Sequence, residues 1–183
     1  EGLFLWDADG NRYYDAISSW WCVVHGHGHP RIREAVARQM ERLDHVLFAG
    51  ATHEPAVRLA SLLAAIAPEG LPRVFFSDNG STAVEVALKM SLQYWQHRGQ
   101  RHRTKFVAFT DAYHGDTMGA VSLGGISLFH STFKPLTFPV VRVSRMADLT
   151  EGDDVAAVCI EPLIQGAAGM RLWPAGMLRE LRA

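Results

Sequence analysis

The chain has 183 residues, 48% of them apolar and 20% charged, with a formal net charge of −1. That length and balance fit one globular domain or part of a larger protein. They exclude a broad basic field for nucleic acid or anionic lipid, and no apolar run approaches membrane-spanning length. Cys22 and Cys159 lie far apart without metal-type spacing, which fits a reducing, cytoplasmic compartment.

Leu3–Trp6 and Arg12–Asp15 flank a turn rich in Asp, Gly and Asn, the pattern of a β-hairpin. Residues 18–30 read as irregular and carry Trp20, Trp21 and three histidines. Pro30 suits a first helical position, and Ile32, Ala35, Val36, Met40 and Leu43 follow at helical spacing. Pro55 opens a second helix with Leu59, Leu62, Leu63 and Ile66 on one face. Beyond Pro72 the text alternates. A strand is expected at 73–77, a helix at 81–97, a strand at 105–110, a short helix at 116–123, then strands at 138–143 and 155–160. Near-continuous apolar strands between helices predict an α/β fold whose mostly parallel sheet is covered on both faces. A last helix opens near Pro174 and is still running at Ala183, and the chain starts at Glu1. The sequence therefore reads as part of a longer protein.

Ligands bind outside the carboxyl ends of strands in open α/β sheets. Three strand exits carry polar, glycine-rich text: Asp78-Asn79-Gly80-Ser81-Thr82, Asp111–Thr117, and Glu161–Gly166. If the strands are neighbours, the three patches line one crevice. At the first exit, Gly80 allows close backbone approach and Ser81 and Thr82 add hydroxyls at a helix N-terminus, which suits an anion such as phosphate. An ordinary helix cap accounts for the same residues. At the second, Tyr113 is placed to stack on a planar group, or simply to pack at a sheet edge. At the third, Glu161 follows a buried run, where a carboxylate is costly unless paired or functional. Trp20 and Trp21 can wall a substrate chain or serve packing. His25, His27 and His29 alternate with glycines, but no Cys, Asp or Glu completes a ligand set nearby, so no metal is expected.

Taken in order, Ser18-Ser19-Trp20-Trp21, Gly26-His27-Gly28-His29-Pro30, Thr52-His53-Glu54-Pro55, Asp78 through Met90, Gln93-Tyr94-Trp95, Tyr113-His114-Gly115-Asp116-Thr117 and Glu161 through Gly166 resemble the class III aminotransferases from end to end. The resemblance implies a fold-type I pyridoxal-phosphate enzyme. Residues 1–50 would supply part of the small N-terminal domain, and 51–183 part of the cofactor-binding large domain. It implies that Gly80 and Ser81 bind the cofactor phosphate, with His114 beside the cofactor. Tyr113 would stack on its ring and touch substrate, Trp20 and Trp21 would form the substrate wall, and Glu161 would lie near the reacting centre. It also implies a homodimer. Ser-Ser-Trp-Trp and Gln-Tyr-Trp point to the biotin-pathway branch, whose substrates are S-adenosylmethionine and 8-amino-7-oxononanoate. Other class III transaminases, acting on ω-amino acids or diamines, and non-catalytic fold relatives are the alternatives.

Two departures stand out. The family's cofactor-bearing lysine and its pyridine-pairing aspartate have no counterpart among these residues. The lysines present are Lys89, Lys105 and Lys134, and none lies in that motif. Transamination needs such a lysine, so the 183 residues alone are expected not to catalyse. The link from Arg145 to Val155 is also shorter than is usual in the family, which is expected to alter surface loops only.

Overall fold

The computed structural model describes residues 1–149 and 152–182. They form two compact units, Glu1–Val74 and Phe75–Ala183.

In the first unit, β1 (Phe4–Trp6) and β2 (Arg12–Tyr14) make the expected antiparallel hairpin, with Leu5 opposite Tyr13. Asp7 builds its turn. The carboxylate accepts the backbone N–H groups of Asp9 at 3.0 Å and Asn11 at 2.8 Å. Gly10 supplies a φ of 83°, where a side chain would be strained. Ser18, Ser19, Trp20 and Trp21 then follow with φ of 49°, 47°, 57° and 65°. Left-handed backbone costs an L residue about 1–2 kcal/mol, so such a run persists only where its surroundings hold it. Helix α1 (Pro30–Arg42) starts on its proline as expected. Helix α2 (Glu54–Ile66) is capped by His53, whose Nδ1 accepts the Ala56 N–H at 3.3 Å. Both helices leave their apolar stripes exposed: Ile32, Val36 and Met40 on α1, and Leu59, Leu62 and Ile66 on α2.

The second unit opens with α3 (Gly80–His97). Its N-terminus carries a capping box: Asn79 Oδ1 accepts the Thr82 N–H at 3.0 Å, and Thr82 Oγ1 accepts the Asn79 N–H at 3.2 Å. Strand β3 (Lys105–Phe109), α4 (Met118–Leu123), a single turn at Ser127–His130, β4 (Val141–Val143) and β5 (Val155–Cys159) follow. A short antiparallel pair, β6 (Ile164–Gln165) and β7 (Arg171–Leu172), then leads to α5 (Met177–Arg182).

The sheet is parallel with order β4-β3-β5. Side chains of β3 alternate between its faces. Phe106 and Ala108 pack with Leu123, Ala156 and the Val84, Leu88 and Trp95 stripe of α3. Val107 and Phe109 pack with Val143, Met177 and Trp173 on the other face. The Trp95 indole ties α3 to the sheet edge by donating to Ala156 O at 2.7 Å. Cover on both faces is what permits a parallel sheet of continuous apolar strands.

The expected strand at 73–77 makes no ladder among the described residues; the segment runs without regular structure toward α3. Apolar run and exit text were right for a strand, but a strand exists only where a neighbour completes its hydrogen bonds. The strand expected at 138–143 shortens to Val141–Val143. Pro139 has no N–H to give a ladder, and the Phe138 N–H goes to Ser122 Oγ at 3.2 Å. Thr150 and Glu151 of the short Arg145–Val155 link, and Ala183 of the last helix, lie outside the described residues. Among the described residues no helix is long and apolar enough to cross a membrane.

Candidate active site

The three polar, glycine-rich patches do converge, the first at a helix start and the other two after β3 and β5. The Asp116 N–H donates to Ser81 Oγ at 3.1 Å, joining the first patch to the second. The Tyr113 N–H donates to Glu161 Oε1 at 3.0 Å, joining the second to the third. The other Glu161 oxygen accepts the Gly166 N–H at 2.9 Å.

Gly115 makes the first junction possible. Its φ is 125°, and a Cβ there would stand 2.8 Å from Ser81 Cβ and 2.9 Å from Ser81 Cα. Both the conformation and the close approach require glycine. One helical turn beyond Ser81, Glu85 Oε1 accepts the Gly119 N–H at 2.6 Å and so fastens the start of α4 to α3. Behind the loops, the fully buried Gln165 donates to Thr110 O at 2.8 Å and accepts from Arg171 Nε at 3.1 Å. Trp173 Nε1 donates to Glu161 O at 2.9 Å. The β6–β7 pair is thus the brace that fixes the second and third exits relative to β3.

At the head of α3, the Gly80 and Ser81 N–H groups find no acceptor among the described residues. They sit at the positive end of an 18-residue helix without an acidic residue in its first turn. Nothing lies within 4 Å of a Cβ built on Gly80. The Ser81 hydroxyl, while accepting from Asp116, keeps its own proton to donate. Two free N–H groups, one hydroxyl and an open glycine surface fit a phosphate monoester. The capping box serves Asn79 and Thr82 and leaves these donors untouched, so the cap and the free donors coexist on consecutive residues.

The Tyr113 hydroxyl donates to Asp116 Oδ2 at 2.6 Å. That hydrogen bond first, then burial and the Asp116 charge, pushes its pKa up to about 12. The phenol therefore stays protonated at neutral pH. The His130 ring lies nearly parallel to that of Tyr113, at 14° and 6.1 Å between centroids. His130 is buried and lines a separate cavity of about 580 Å³ with Lys134 and Arg142. His114 turns its Nδ1 to within 3.6 Å of Cys159 Sγ, at the end of β5. Burial, with Arg142 and His130 adding and Glu161 opposing, holds the His114 imidazole below its ordinary pKa. Burial, helped by the Glu161 charge, pushes the Cys159 thiol up to about 11.

Gly80, Ser81, Tyr113, His114 and Glu161 are therefore brought together in the second unit. Trp20 and Trp21 belong to the first unit and are exposed there. Sequence reasoning missed four residues that build the site: Glu85, Asp116, Gln165 and Arg171. Glu85 had a signal, since it stands one helical turn after Ser81 on the same face. Gln165 had one too, as a polar residue between Ile164 and Gly166 in an apolar stretch.

Comparison with known proteins agrees with this geometry. The description "Aminotransferase class-III" matches residues 1–183. The chain is 45% identical to the adenosylmethionine-8-amino-7-oxononanoate aminotransferase of Geobacter sulfurreducens, covering 100% of this chain and 46% of that protein. It is 49% identical to the enzyme of that name from Synechococcus elongatus, covering 100% of this chain and 48% of the relative. Among solved structures, the adenosylmethionine-8-amino-7-oxononanoate aminotransferase of Methanocaldococcus jannaschii superposes with a TM-score of 0.92 at 38% identity, over 99% of this chain and 44% of that one. The chain thus spans a little under half the length of these relatives. A glycine-serine helix start joined to the Tyr113 loop through Gly115 and Ser81, with a fold and a sequence match along the whole chain, makes this protein a member of the class III aminotransferase family.

Proposed function

We propose that the full-length protein is the aminotransferase of biotin biosynthesis that moves the amino group of S-adenosylmethionine to 8-amino-7-oxononanoate, giving 7,8-diaminononanoate. The observation that carries the reading is the cup at the head of α3, with two unused N–H groups and the Ser81 hydroxyl set beside Tyr113. Pyridoxal phosphate, when bound, supplies an electron sink for the carbon that loses or gains the amino group. Gly80 and Ser81 hold its phosphate. Tyr113, kept protonated by Asp116, lies against the ring and offers a neutral face to substrate. Glu161 fixes the Tyr113 backbone and keeps a carboxylate near the reacting centre. His114, held neutral by burial, backs the loop from the Cys159 side. Trp20 and Trp21 wall the substrate. Residues 1–50 belong to the small domain and 51–183 to the cofactor domain.

None of the three lysines stands at a strand exit. Lys105 begins β3, at the end away from the cup, and pairs with Asp154. Lys89 lies within α3, and Lys134 lies in the turn at Ser131–Leu136. These 183 residues by themselves therefore do not catalyse. Names of relatives at 45% and 49% identity favour the biotin-pathway branch. The exposed apolar stripes of α1 and α2 suit a homodimer, and the free thiols Cys22 and Cys159 suit the cytoplasm.

The test is spectroscopic. Purified full-length protein should be yellow and should lose that colour when S-adenosylmethionine is added. Bleaching by ornithine or γ-aminobutyrate, and not by S-adenosylmethionine, would select a different class III transaminase.

A further inference from the structure

Asp15 joins the hairpin to the turn that follows it. Its side chain is 6% exposed. Oδ1 accepts the Ser19 N–H at 2.9 Å, and Oδ2 accepts the Ser19 hydroxyl at 2.7 Å. The same Oδ2 lies 2.7 Å from His27 Nε2. The backbone of Asp15 is tied to the hairpin, its N–H donating to Leu3 O at 2.9 Å. His27 is tied to the same strand edge through Gly2, whose N–H donates to His27 O at 3.0 Å and whose carbonyl accepts the His27 N–H at 2.8 Å. A carboxylate anchored at both ends to the hairpin therefore grips the residue immediately before Trp20.

That grip falls where the backbone needs it. Ser18 to Trp21 all adopt left-handed φ, with no glycine among them. Neither serine nor tryptophan favours this conformation. Further ties in the turn are backbone hydrogen bonds from the Ser18 N–H to Asp15 O at 3.2 Å, from the Trp21 N–H to Ile17 O at 2.9 Å and from the Cys22 and Val23 N–H groups to Ser18 O, with the Cys22 thiol 3.6 Å from Trp20 O. In this conformation Trp20 and Trp21 stand out of the turn, 77% and 60% exposed.

We infer that Asp15 is a positioning residue for substrate: with Ser19 and His27 it locks a strained left-handed turn that presents Trp20 and Trp21. The link to substrate rests on reading those tryptophans as the substrate wall. Both Asp15 oxygens are taken up by Ser19 and His27, so its loss should move KM for the amino donor and acceptor while leaving cofactor loading alone.

The experiment uses the full-length protein and the variants Asp15→Ala, Asp15→Asn, Trp20→Ala and the double change Asp15→Ala with Ser19→Gly. Two readouts are taken: KM and kcat with each substrate, and the rate of chymotrypsin cleavage after Trp20 and Trp21 mapped by mass spectrometry. Asp15→Ala should raise cleavage at these bonds and raise KM roughly tenfold or more, as expected when a contact surface is displaced, with unchanged cofactor absorbance. Asp15→Asn, which keeps one acceptor for the Ser19 N–H, should fall between, and it serves as the test if the alanine variant does not fold. Glycine at 19 accepts positive φ without strain, so the double variant should recover much of the KM; a general loss of stability would not be repaired this way. Unchanged cleavage in Asp15→Ala overturns the lock. Raised KM in Trp20→Ala with normal KM in Asp15→Ala overturns the positioning role while the wall reading stands. If Trp20→Ala leaves KM unchanged, the wall reading fails and the substrate link falls with it, whatever the cleavage pattern.

Discussion

The Ser81 hydroxyl accepts the backbone N–H of Asp116 at 3.1 Å, and Gly115 lies so close to Ser81 that no side chain fits between them. Gly115→Ala must move Ser81 and also adopt a strained backbone at φ 125°. Strain of this kind costs about 1–3 kcal/mol. Displacement of Ser81 should in addition weaken cofactor binding by about tenfold, the loss of one hydrogen bond to a charged group. Thermal melting and titration of the apo-protein with pyridoxal phosphate, followed by absorbance, check the two effects separately.

Glu161 holds two backbone N–H groups from different loops. Glu161→Ala leaves the Tyr113 and Gly166 donors without their partner, and a buried donor left unsatisfied costs about 1–3 kcal/mol. Chemical denaturation should show a loss of that order. Glu161→Gln keeps a single acceptor oxygen and should lose about half as much.

The Tyr113 phenol has its pKa raised by the hydrogen bond to Asp116, by burial and by the Asp116 charge. A group whose folded pKa is raised stabilises the fold fully below its unfolded value and loses that contribution as pH climbs through the folded value. Tyr113 therefore contributes below about pH 10, and the contribution disappears as pH passes about 12. Asp116→Asn should bring the pKa down toward the ordinary tyrosine range. Ultraviolet titration of tyrosinate, with Tyr113→Phe as the blank, reads this directly.

Asp15 has the opposite sign. The hydrogen bonds from the Ser19 N–H and hydroxyl, and then from His27, lower its pKa to about 2. A depressed carboxylate stabilises the fold above its unfolded value and loses that contribution as pH falls through the folded one. The stability gap between the wild type and Asp15→Asn should be constant above about pH 4 and close as pH falls toward about 2. Acid titration followed by circular dichroism checks the window.

The two cysteines should label at different rates. Cys22 is exposed, whereas burial and the nearby Glu161 raise the Cys159 thiol to about 11. Reactivity follows the thiolate. Iodoacetamide at neutral pH should modify Cys22 first, with Cys159 following only on unfolding, as read by peptide mass mapping.

Much of the second unit was legible in the sequence because its signals are local. Helix α3 shows its cap in Asn79 and Thr82 and its partly buried core-facing stripe in Val84, Leu88 and Trp95. Strands β3 and β5 are apolar runs with clear ends. At Gly80 and Ser81 the sequence left an anion site and a plain cap both open, and which N–H groups remain unused is a matter of geometry. The left-handed run at Ser18–Trp21 was illegible, because neither serine nor tryptophan prefers that backbone and the cause, Asp15 with His27, is tertiary. The β6–β7 brace was missed for the same reason: two-residue strands carry no periodicity, and Gln165 acts on Thr110, 55 positions earlier.

The clamp of Glu161 on Tyr113 also fixes an order of events during synthesis. Tyr113 is held by a residue made 48 positions later, and β3 gains its β5 partner only when residues 155–159 arrive. A central strand whose neighbours are both distant in sequence forms late, since loop closure precedes any reward from pairing. On the ribosome, α3 is made well before the β5 backbone that Trp95 ties it to and before the Glu161 that holds the Tyr113 loop. A nascent chain stalled before Val155 would leave Trp95 without its Ala156 acceptor and Tyr113 without its Glu161 clamp, so α3 and the Tyr113 loop settle together only in a chain that has passed Gly166.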